Sequence, residues 1–162
     1  MKTLPNKMKA IIKMRGSVGI KPDIKYTLGL LRLHRVNHCV VVGNDDYYKG
    51  MINKVKDYVA WGEISEDMLE ELLKNRGRLT GGKRLTESYL RNNTPFESFK
   101  KLAHGLHSGE VKMKDLTEYQ IKPVFRLHPP RKGHRGIKKT VPQGGELGYH
   151  GDAINELLRK MR

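Results

Sequence analysis

The chain has 162 residues, a length that suits one domain or a small domain with an insertion. Its one cysteine, Cys39, excludes an intramolecular disulfide and disfavours a disulfide-stapled secreted scaffold. No segment approaches the roughly 20 consecutive apolar residues that span a bilayer. Residues 1–15 also lack the apolar core of a signal peptide. We therefore expect a cytosolic protein that does not associate with membranes.

The excess of positive charge is concentrated in the two ends of the chain. With 32 Lys and Arg against 17 Asp and Glu, the formal net charge is +15. Residues 1–21 contribute +6, residues 22–121 contribute +2 and residues 122–162 contribute +7. A surface that merely keeps a protein soluble would scatter this excess, so its concentration predicts a polyanion partner. Nucleic acid is favoured over a membrane because neither end has a basic amphipathic helix with a bulky apolar face.

The first part of the chain predicts a strand, a helix and a second strand. Residues 8–14 read as a strand in which Ala10, Ile12 and Met14 point one way and Lys9 and Lys13 the other. Pro22 suits the first turn of a helix that continues through Leu28 and Leu31. Residues 39–42 are a continuous apolar run, which is typical of a buried strand. From this order we expect the two strands to be parallel and joined by a right-handed crossover.

Helices are predicted for most of the rest of the chain. A second helix is indicated by the apolar positions Tyr48, Met51, Ile52, Val55 and Val59. Ser65 is predicted to cap a third helix, which is followed by a loop rich in Gly and Arg at residues 75–84. Thr94, followed by Pro95 and later by Glu97, predicts the start of another helix. We also expect Asp152 to cap a short terminal helix.

These elements, with a last strand at residues 124–127, predict an α/β (α+β) fold of the ferredoxin-like kind. Helices would cover one face of a small sheet, and the other face would be free to meet RNA. We assign residues 1–62 plus 121–130 to an RNA-binding core and residues 63–120 to a helical insertion. Residues 131–162 would form an extended basic C-terminal tail that ends in the short helix.

One segment is similar to a phosphate-binding loop. Residues 77–83 fit the pattern G-x-x-x-x-G-K, but the next residue is Arg84 where nucleotide hydrolases have Ser or Thr. The segment also follows a predicted helix, whereas a phosphate-binding loop follows a strand. Both observations disfavour the alternative of a nucleotide hydrolase that uses Gly77 to Lys83. A flexible loop whose cations approach RNA phosphates is preferred, and a purely solvated loop is the other possibility.

No combination of residues predicts catalysis or metal binding. His34, His38 and Cys39 are close in sequence, but the strand that starts at Cys39 removes the shared helix face. One cysteine also provides no C-x-x-C pair. His104 and His107 lack convincing partners in the sequence. We therefore predict no catalytic residue, no metal, no cofactor and no small-molecule substrate, and interpret the histidines as structural or RNA-contacting.

Two further basic segments predict contacts with RNA. Residues 131–139 contain five Lys and Arg, and their glycines let the backbone follow an irregular groove. Such a segment is expected to order on RNA, although a tail without a specific partner is the alternative. The second segment surrounds the first helix, whose N-terminus offers N–H groups to a phosphate. No aromatic stripe of the RNP type is present, so stacking of single-strand bases is not the predicted mode.

The predicted RNA-binding residues are Arg15, Gly16, Lys21, Lys25, Arg32, His34, Arg35, His38, Arg76, Arg78, Lys83, Arg84, Arg131, Lys132, His134, Arg135, Lys138 and Lys139.

Several motifs, in order along the chain, resemble one family of ribosomal proteins. Residues 11–16 (IIKMRG), 30–38 (LLRLHRVNH) and 59–62 (VAWG) are similar to the large-subunit family called L-thirty in bacteria and archaea and L-seven in eukaryotes. Residues 125–133 (FRLHPPRKG) and 144–148 (GGELG) resemble its archaeal and eukaryotic members. The long insertion and the tail are typical of the archaeal type.

The resemblance implies a ferredoxin-like core, no enzymatic activity and a structural role in the large ribosomal subunit. It implies binding to 23S-type rRNA close to the 5S rRNA, with 5S rRNA and neighbouring large-subunit proteins as further partners. It also supports Arg15, Gly16 and residues 32–38 as parts of an RNA-facing unit. Charge alone leaves a second possibility open, a protein that compacts DNA without sequence preference.

Overall fold

A five-stranded mixed sheet forms the centre of the fold. The structure is a computed structural model that describes residues 8–16, 18–43, 45–131, 133 and 136–162. The strands are β1 (Lys9–Lys13), β2 (His38–Val42), β3 (Val59–Glu63), β4 (Val124–Arg126) and β5 (Gly148–Tyr149). Their order is β4-β2-β1-β3-β5. β1 is antiparallel to both β2 and β3, β2 is antiparallel to β4, and β3 is parallel to β5.

Six α-helices and three 3-10 helices surround this sheet in the described part of the chain. The α-helices are α1 (Pro22–Leu30), α2 (Asp46–Val55), α3 (Glu66–Arg76), α4 (Glu87–Asn93), α5 (Phe99–Ser108) and α6 (Ile154–Met161). The 3-10 helices are Met113–Tyr119, Val141–Gln143 and Gly151–Ala153. The predicted α+β class is therefore confirmed. The division into core, insertion and tail stays a prediction.

The predicted parallel pairing of the first two strands is wrong. β1 and β2 are antiparallel neighbours, with Ala10 opposite Val41 and Ile12 opposite Cys39. The chain returns to the end of β1 because Arg32 and Asn37 have left-handed backbones, with φ of 64° and 69°. Arg32 gives no turn signal in the sequence. Asn37 does favour a turn, but neither residue shows which strands become neighbours, so the antiparallel pairing could not be predicted from them.

The strand β3 was missed by the sequence patterns. Val59 was predicted to continue the second helix, but α2 ends at Val55 and Val59 is the first residue of β3. Val59 fits the helical spacing by coincidence, since it is buried as part of the sheet and not on the helix. β3 pairs along its whole length with β1, and this backbone pairing determines its conformation more strongly than local spacing.

Both faces of the sheet are buried, so the expected open face is wrong. Ile11, Val40 and Val59 pack with α1 and α2 in one hydrophobic cluster. Ile12 and Val41, on the opposite face, pack with apolar residues of α3, α5 and α6 in a second, larger cluster. The helices α3, α5 and α6 thus cover the face that was expected to meet RNA. Covering an apolar face with helices stabilises the folded state, because it removes apolar surface from water.

The helix boundaries follow the predicted caps in one case and not in two others. Ser65 accepts a hydrogen bond from the backbone N–H of Met68, as predicted for the start of α3. Thr94, predicted to begin a helix, instead ends α4, and its hydroxyl donates to the carbonyl of Leu90. The next helix begins at Phe99 with Ser98 as its cap. α6 is where the terminal helix was predicted, but its cap position is occupied by Ala153 and not Asp152.

The described part of the predicted tail has more structure than expected. Leu147 is 3% exposed and belongs to the larger cluster. Its backbone N–H donates to the carbonyl of Lys139, and the N–H of Val141 donates back to its carbonyl. Residues 136–148 therefore form a folded loop anchored by an apolar side chain, which charge and glycine content did not reveal.

We expect Gly62→Ala to lower the free energy of unfolding by about 1–3 kcal/mol, as overpacking of a core does. A Cβ at Gly62 would overlap the carbonyl oxygen of Gly151 and lie 2.8 Å from the Cβ of Ile154. Urea unfolding measures the change. In the matched control, Gly50→Ala in α2, the new Cβ meets nothing within 4 Å. It should raise stability by roughly 0.5–1 kcal/mol. A Gly62→Ala variant as stable as the wild type would contradict the packing of the terminal segment on β3.

Candidate nucleic-acid interface

A row of basic side chains crosses three neighbouring strands on the α1/α2 side of the sheet. His38 is paired with Arg126 across β2 and β4. The antiparallel register that pairs Ile12 with Cys39 brings Lys13 beside His38. Because side chains alternate along strands, Lys13 lies on the same face as Ile11, and His38 on the same face as Val40. The row is therefore a direct product of strand register.

Lys13 is the innermost member of this row. It is 1% exposed, and its Nζ donates to the carbonyl oxygen of His34 at 3.4 Å. Burial first, and then the positive charge of Lys25, lower the pKa of Lys13 below its ordinary value. A buried ammonium needs hydrogen-bond partners to offset its desolvation. Lys13 therefore ties the end of β1 to the segment between α1 and β2.

The lowered pKa of His38 reflects the positively charged side chains that surround it. Burial is the largest cause that lowers this pKa below its ordinary value, and the electrostatic causes that follow are all cationic. These cations are Arg126, His34, Arg35 and Lys13. Together with Lys25 and His38 itself they form what we call the cationic cluster (Lys13, Lys25, His34, Arg35, His38 and Arg126). Charges of one sign at one site repel each other, so the cluster is suited to an anionic partner.

The structure brings together some of the predicted residues around the first helix. Lys25, His34, Arg35 and His38 belong to the cationic cluster, and all but His38 are exposed. The guanidinium of Arg15 lies 5.0 Å from the ring centroid of Tyr58, which holds it in a cation–π contact. Gly16, Lys21 and Arg32 are exposed in the segments that flank α1. Their role in binding stays a prediction.

The predicted loop at residues 77–84 is a hairpin on the other side of the sheet. Arg78 and Arg84 form an antiparallel bridge, and Leu79 bridges to Ile121. Leu79 belongs to the larger cluster, the one under α3 and α5. Lys83 and Arg84 are exposed, whereas Arg76 and Arg78 are half-buried. The hairpin follows α3 and not a strand, in agreement with the sequence argument against a phosphate-binding loop.

The tail residues are only partly within the described structure. Arg131, Lys138 and Lys139 are exposed. The predicted residues Lys132, His134 and Arg135 lie outside the described residues. The contribution of the tail to binding stays a prediction.

Sequence patterns missed two members of the cationic cluster, Lys13 and Arg126. Both lie on strands, where alternation with Ile12 and Phe125 already indicates the face that each occupies. The missing information was which strands are neighbours. Cys39, the residue beside His38, is fully buried, and burial raises the pKa of its thiol to about 12. Its thiolate is therefore disfavoured as a metal ligand or nucleophile.

Two negative findings apply to the described residues. Within residues 8–16, 18–43, 45–131, 133 and 136–162, no group of three or more His, Cys, Asp or Glu side chains could hold a metal ion. None of the helices in this same part of the chain has the length and apolar character needed to cross a membrane.

The fold and the cationic cluster define a basic α+β protein with a surface suited to a polyanion. The sequence model of the family described as "Ribosomal protein L30p/L7e" matches residues 9–59. A "Large ribosomal subunit protein uL30" from Methanothrix thermoacetophila is 57% identical over 155 residues, which cover 96% of this chain and 100% of that relative. Proteins of the same name are 54% identical in Methanoculleus marisnigri and 50% identical in Archaeoglobus fulgidus, with the same coverage.

The chain belongs to the ribosomal protein L30p/L7e family. The predicted family and its archaeal type are confirmed by these comparisons, and with them the predicted place in the large ribosomal subunit. The family is one of structural ribosomal proteins rather than enzymes.

We expect Arg126→Gln to raise the pKa of His38, because the substitution removes the largest of the cationic causes that lower it. A depressed histidine pKa favours the neutral native form, so stability is present above the unfolded pKa of about 6.5 and is lost as pH falls through the folded pKa. In Arg126→Gln this loss between neutral and mildly acidic pH should be smaller than in the wild type. NMR titration of His38 and urea unfolding across this range measure both effects.

The matched control for this prediction is Arg84→Gln, which removes the same charge on the hairpin, away from the cationic cluster. It should leave the titration of His38 unchanged. Identical His38 titration curves in the wild type and Arg126→Gln would show that the two side chains do not share an electrostatic environment.

Proposed function

We propose that this chain is a structural component of the large ribosomal subunit that binds rRNA through the cationic cluster. The observation that carries the proposal is the row of Lys13, His38 and Arg126 on three neighbouring strands, beside which His34 and Arg35 also act on His38. An anionic backbone beside this set would neutralise charges that repel each other in the free protein. Phosphates are the densest anions that a ribosomal protein meets.

The binding mode should depend mostly on the RNA backbone and on shape. The major groove of A-form RNA is too deep and narrow for side chains to read its bases. Arg35 and Arg126 are exposed and can reach phosphates, while Lys13 is buried and acts by holding its neighbours in place. The cluster therefore combines a fixed inner cation with exposed outer ones. We further propose that the binding site lies near the 5S rRNA, and that the tail and insertion contact rRNA helices and neighbouring proteins.

Competition at one salt concentration tests the proposal. The full chain is bound to labelled large-subunit rRNA, and unlabelled rRNA or duplex DNA is added as competitor. Structured rRNA should compete much better than duplex DNA, and rRNA with 5S rRNA better than rRNA without it. Equal competition by DNA would support the sequence-tolerant DNA-binding alternative, since electrostatics alone binds both polymers. Failure to co-sediment with large subunits would contradict the proposal as a whole.

Removal of exposed cations from the cluster should weaken rRNA binding and reduce its salt dependence. A plot of log affinity against log salt has a negative slope. We expect the double variant Lys25→Gln/Arg126→Gln to reduce the magnitude of this slope by roughly two, because each substitution removes one cation that neutralises a phosphate. Filter binding over a range of salt concentrations measures the slope.

The matched control is Lys54→Gln/Lys101→Gln, which removes the same net charge. Each of these lysines already has a carboxylate partner, Asp23 at 3.9 Å and Glu97 at 2.6 Å. Its slope should stay close to that of the wild type. If the slope falls equally in the two double variants, binding depends on net charge and not on the cationic cluster.

The described cations of the tail allow a separate test. Replacing Arg131, Lys138 and Lys139 with Ala should weaken rRNA binding and flatten its salt dependence. Because all three are exposed, the free energy of unfolding should change by no more than about 0.5 kcal/mol. Binding and urea unfolding are measured on the same preparation. An unchanged salt dependence would show that these three residues do not contact rRNA.

A further inference from the structure

A groove of about 260 Å³ lies between the start of α2 and the segment that follows α5. Its lining includes the buried apolar side chains of Met8 and Val41. Tyr47 and Tyr48 also line the groove, as do residues 111–114. This volume is below the roughly 300–1,000 Å³ of sites for drug-sized ligands. The groove therefore suits one planar ring better than a whole cofactor.

Tyr47 presents an aromatic surface at this groove. It is 66% exposed, so its ring is accessible at the groove. Its ring meets that of Tyr48 edge to face, with centroids 5.4 Å apart and planes at 68°. Tyr48 in turn packs against the cluster under α1 and α2. The exposed ring is thus supported from behind and leaves a surface on which another ring can stack.

Charged groups of both signs surround this aromatic surface. Lys112 and Lys114 line the groove and are exposed. Asp45 also lines the groove and is exposed, and its carboxylate makes no capping hydrogen bond to α2. A nucleotide has three complementary parts: a flat ring, an anionic phosphate and, in most bases, an exocyclic amino group. An apolar side chain of a protein partner would gain nothing from the two lysines or the carboxylate.

We propose that this groove receives one unstacked RNA base that has an exocyclic amino group. The base stacks on Tyr47, its amino group donates to the carboxylate of Asp45, and the adjoining phosphates lie at Lys112 and Lys114. Carboxylates accept hydrogen bonds from base amino groups elsewhere in nucleic-acid recognition. The inference rests on the proposed function, and it adds a base-specific site at the ends of β1 and β2 opposite those that carry Lys13 and His38. The base would contact both the sheet and the insertion.

Short single-stranded RNA tests the groove without the rest of the rRNA. Fluorescently labelled oligocytidine and oligouridine of equal length differ in the amino group at position 4 of the base. Anisotropy titrations with the full chain should give tighter binding of oligocytidine. Tyr47→Ala should weaken binding roughly 5- to 150-fold, the range found when one base–aromatic stack is removed. Tyr47→Phe keeps the ring and should bind like the wild type.

Two further variants separate the parts of the proposal. Asp45→Ala should remove the preference for oligocytidine over oligouridine. Tyr26→Ala removes a ring that is 69% exposed but lies on α1, outside the groove, and should leave both affinities unchanged. Equal affinities for Tyr47→Ala and the wild type would overturn the proposal.

These experiments distinguish a failure of the proposed base site from a failure of the proposed rRNA-binding function. If the wild type binds structured rRNA and Tyr47→Ala binds short RNA equally well, the base site is wrong and the rRNA-binding function stands. If the wild type does not bind structured rRNA, the proposed function itself fails. If Tyr47→Ala keeps its RNA affinity but is poorly retained on subunits that contain the other proteins, the groove takes a protein partner, which also overturns the proposal.

Discussion

The burial of β1 on both faces is the constraint on which the rest of the structure depends. Ile11 and Ile12 are both fully buried, yet they belong to different hydrophobic clusters on opposite sides of the sheet. A shift of one residue in register would exchange these two faces along the whole strand. β1 also pairs with both β2 and β3, so the same shift would disrupt two ladders. The register of the three central strands is therefore strongly fixed.

This fixed register determines where the cations lie. Ile12 packs in the larger cluster, so the side chain of Lys13 must lie on the opposite face of the sheet. In the same way, the packing of Cys39 in that cluster places the side chain of His38 on the face of Lys13. The fold thus places a buried ammonium beside a histidine and an arginine, at a cost in desolvation and repulsion. A polyanion that binds the native state would relieve this repulsion, so binding and stability are coupled. The position of the proposed rRNA site is therefore determined by the register of the paired strands.

Sequence patterns were reliable where one element alone decides the outcome. The alternation in residues 8–14, the Ser65 cap and the apolar run at residues 39–42 each describe a local preference, and each element was found. The patterns gave a wrong prediction where the same residue fits two different elements. Val59 fits helical spacing, but pairing with β1 makes it a strand. Thr94 has the sequence of a helix start, but it ends the helix before it.

The sequence by itself determined the class of this protein: a basic α+β chain, with motifs that indicate its ribosomal family. These properties follow from composition, local periodicity and ordered motifs, which need no contacts between distant residues. Tertiary structure decided which strands are neighbours, that both faces of the sheet are covered, and that Lys13 and Arg126 join the predicted cations Lys25, His34, Arg35 and His38. The physical reason is that strand pairing is a long-range interaction, whereas charge and periodicity are properties of the local sequence.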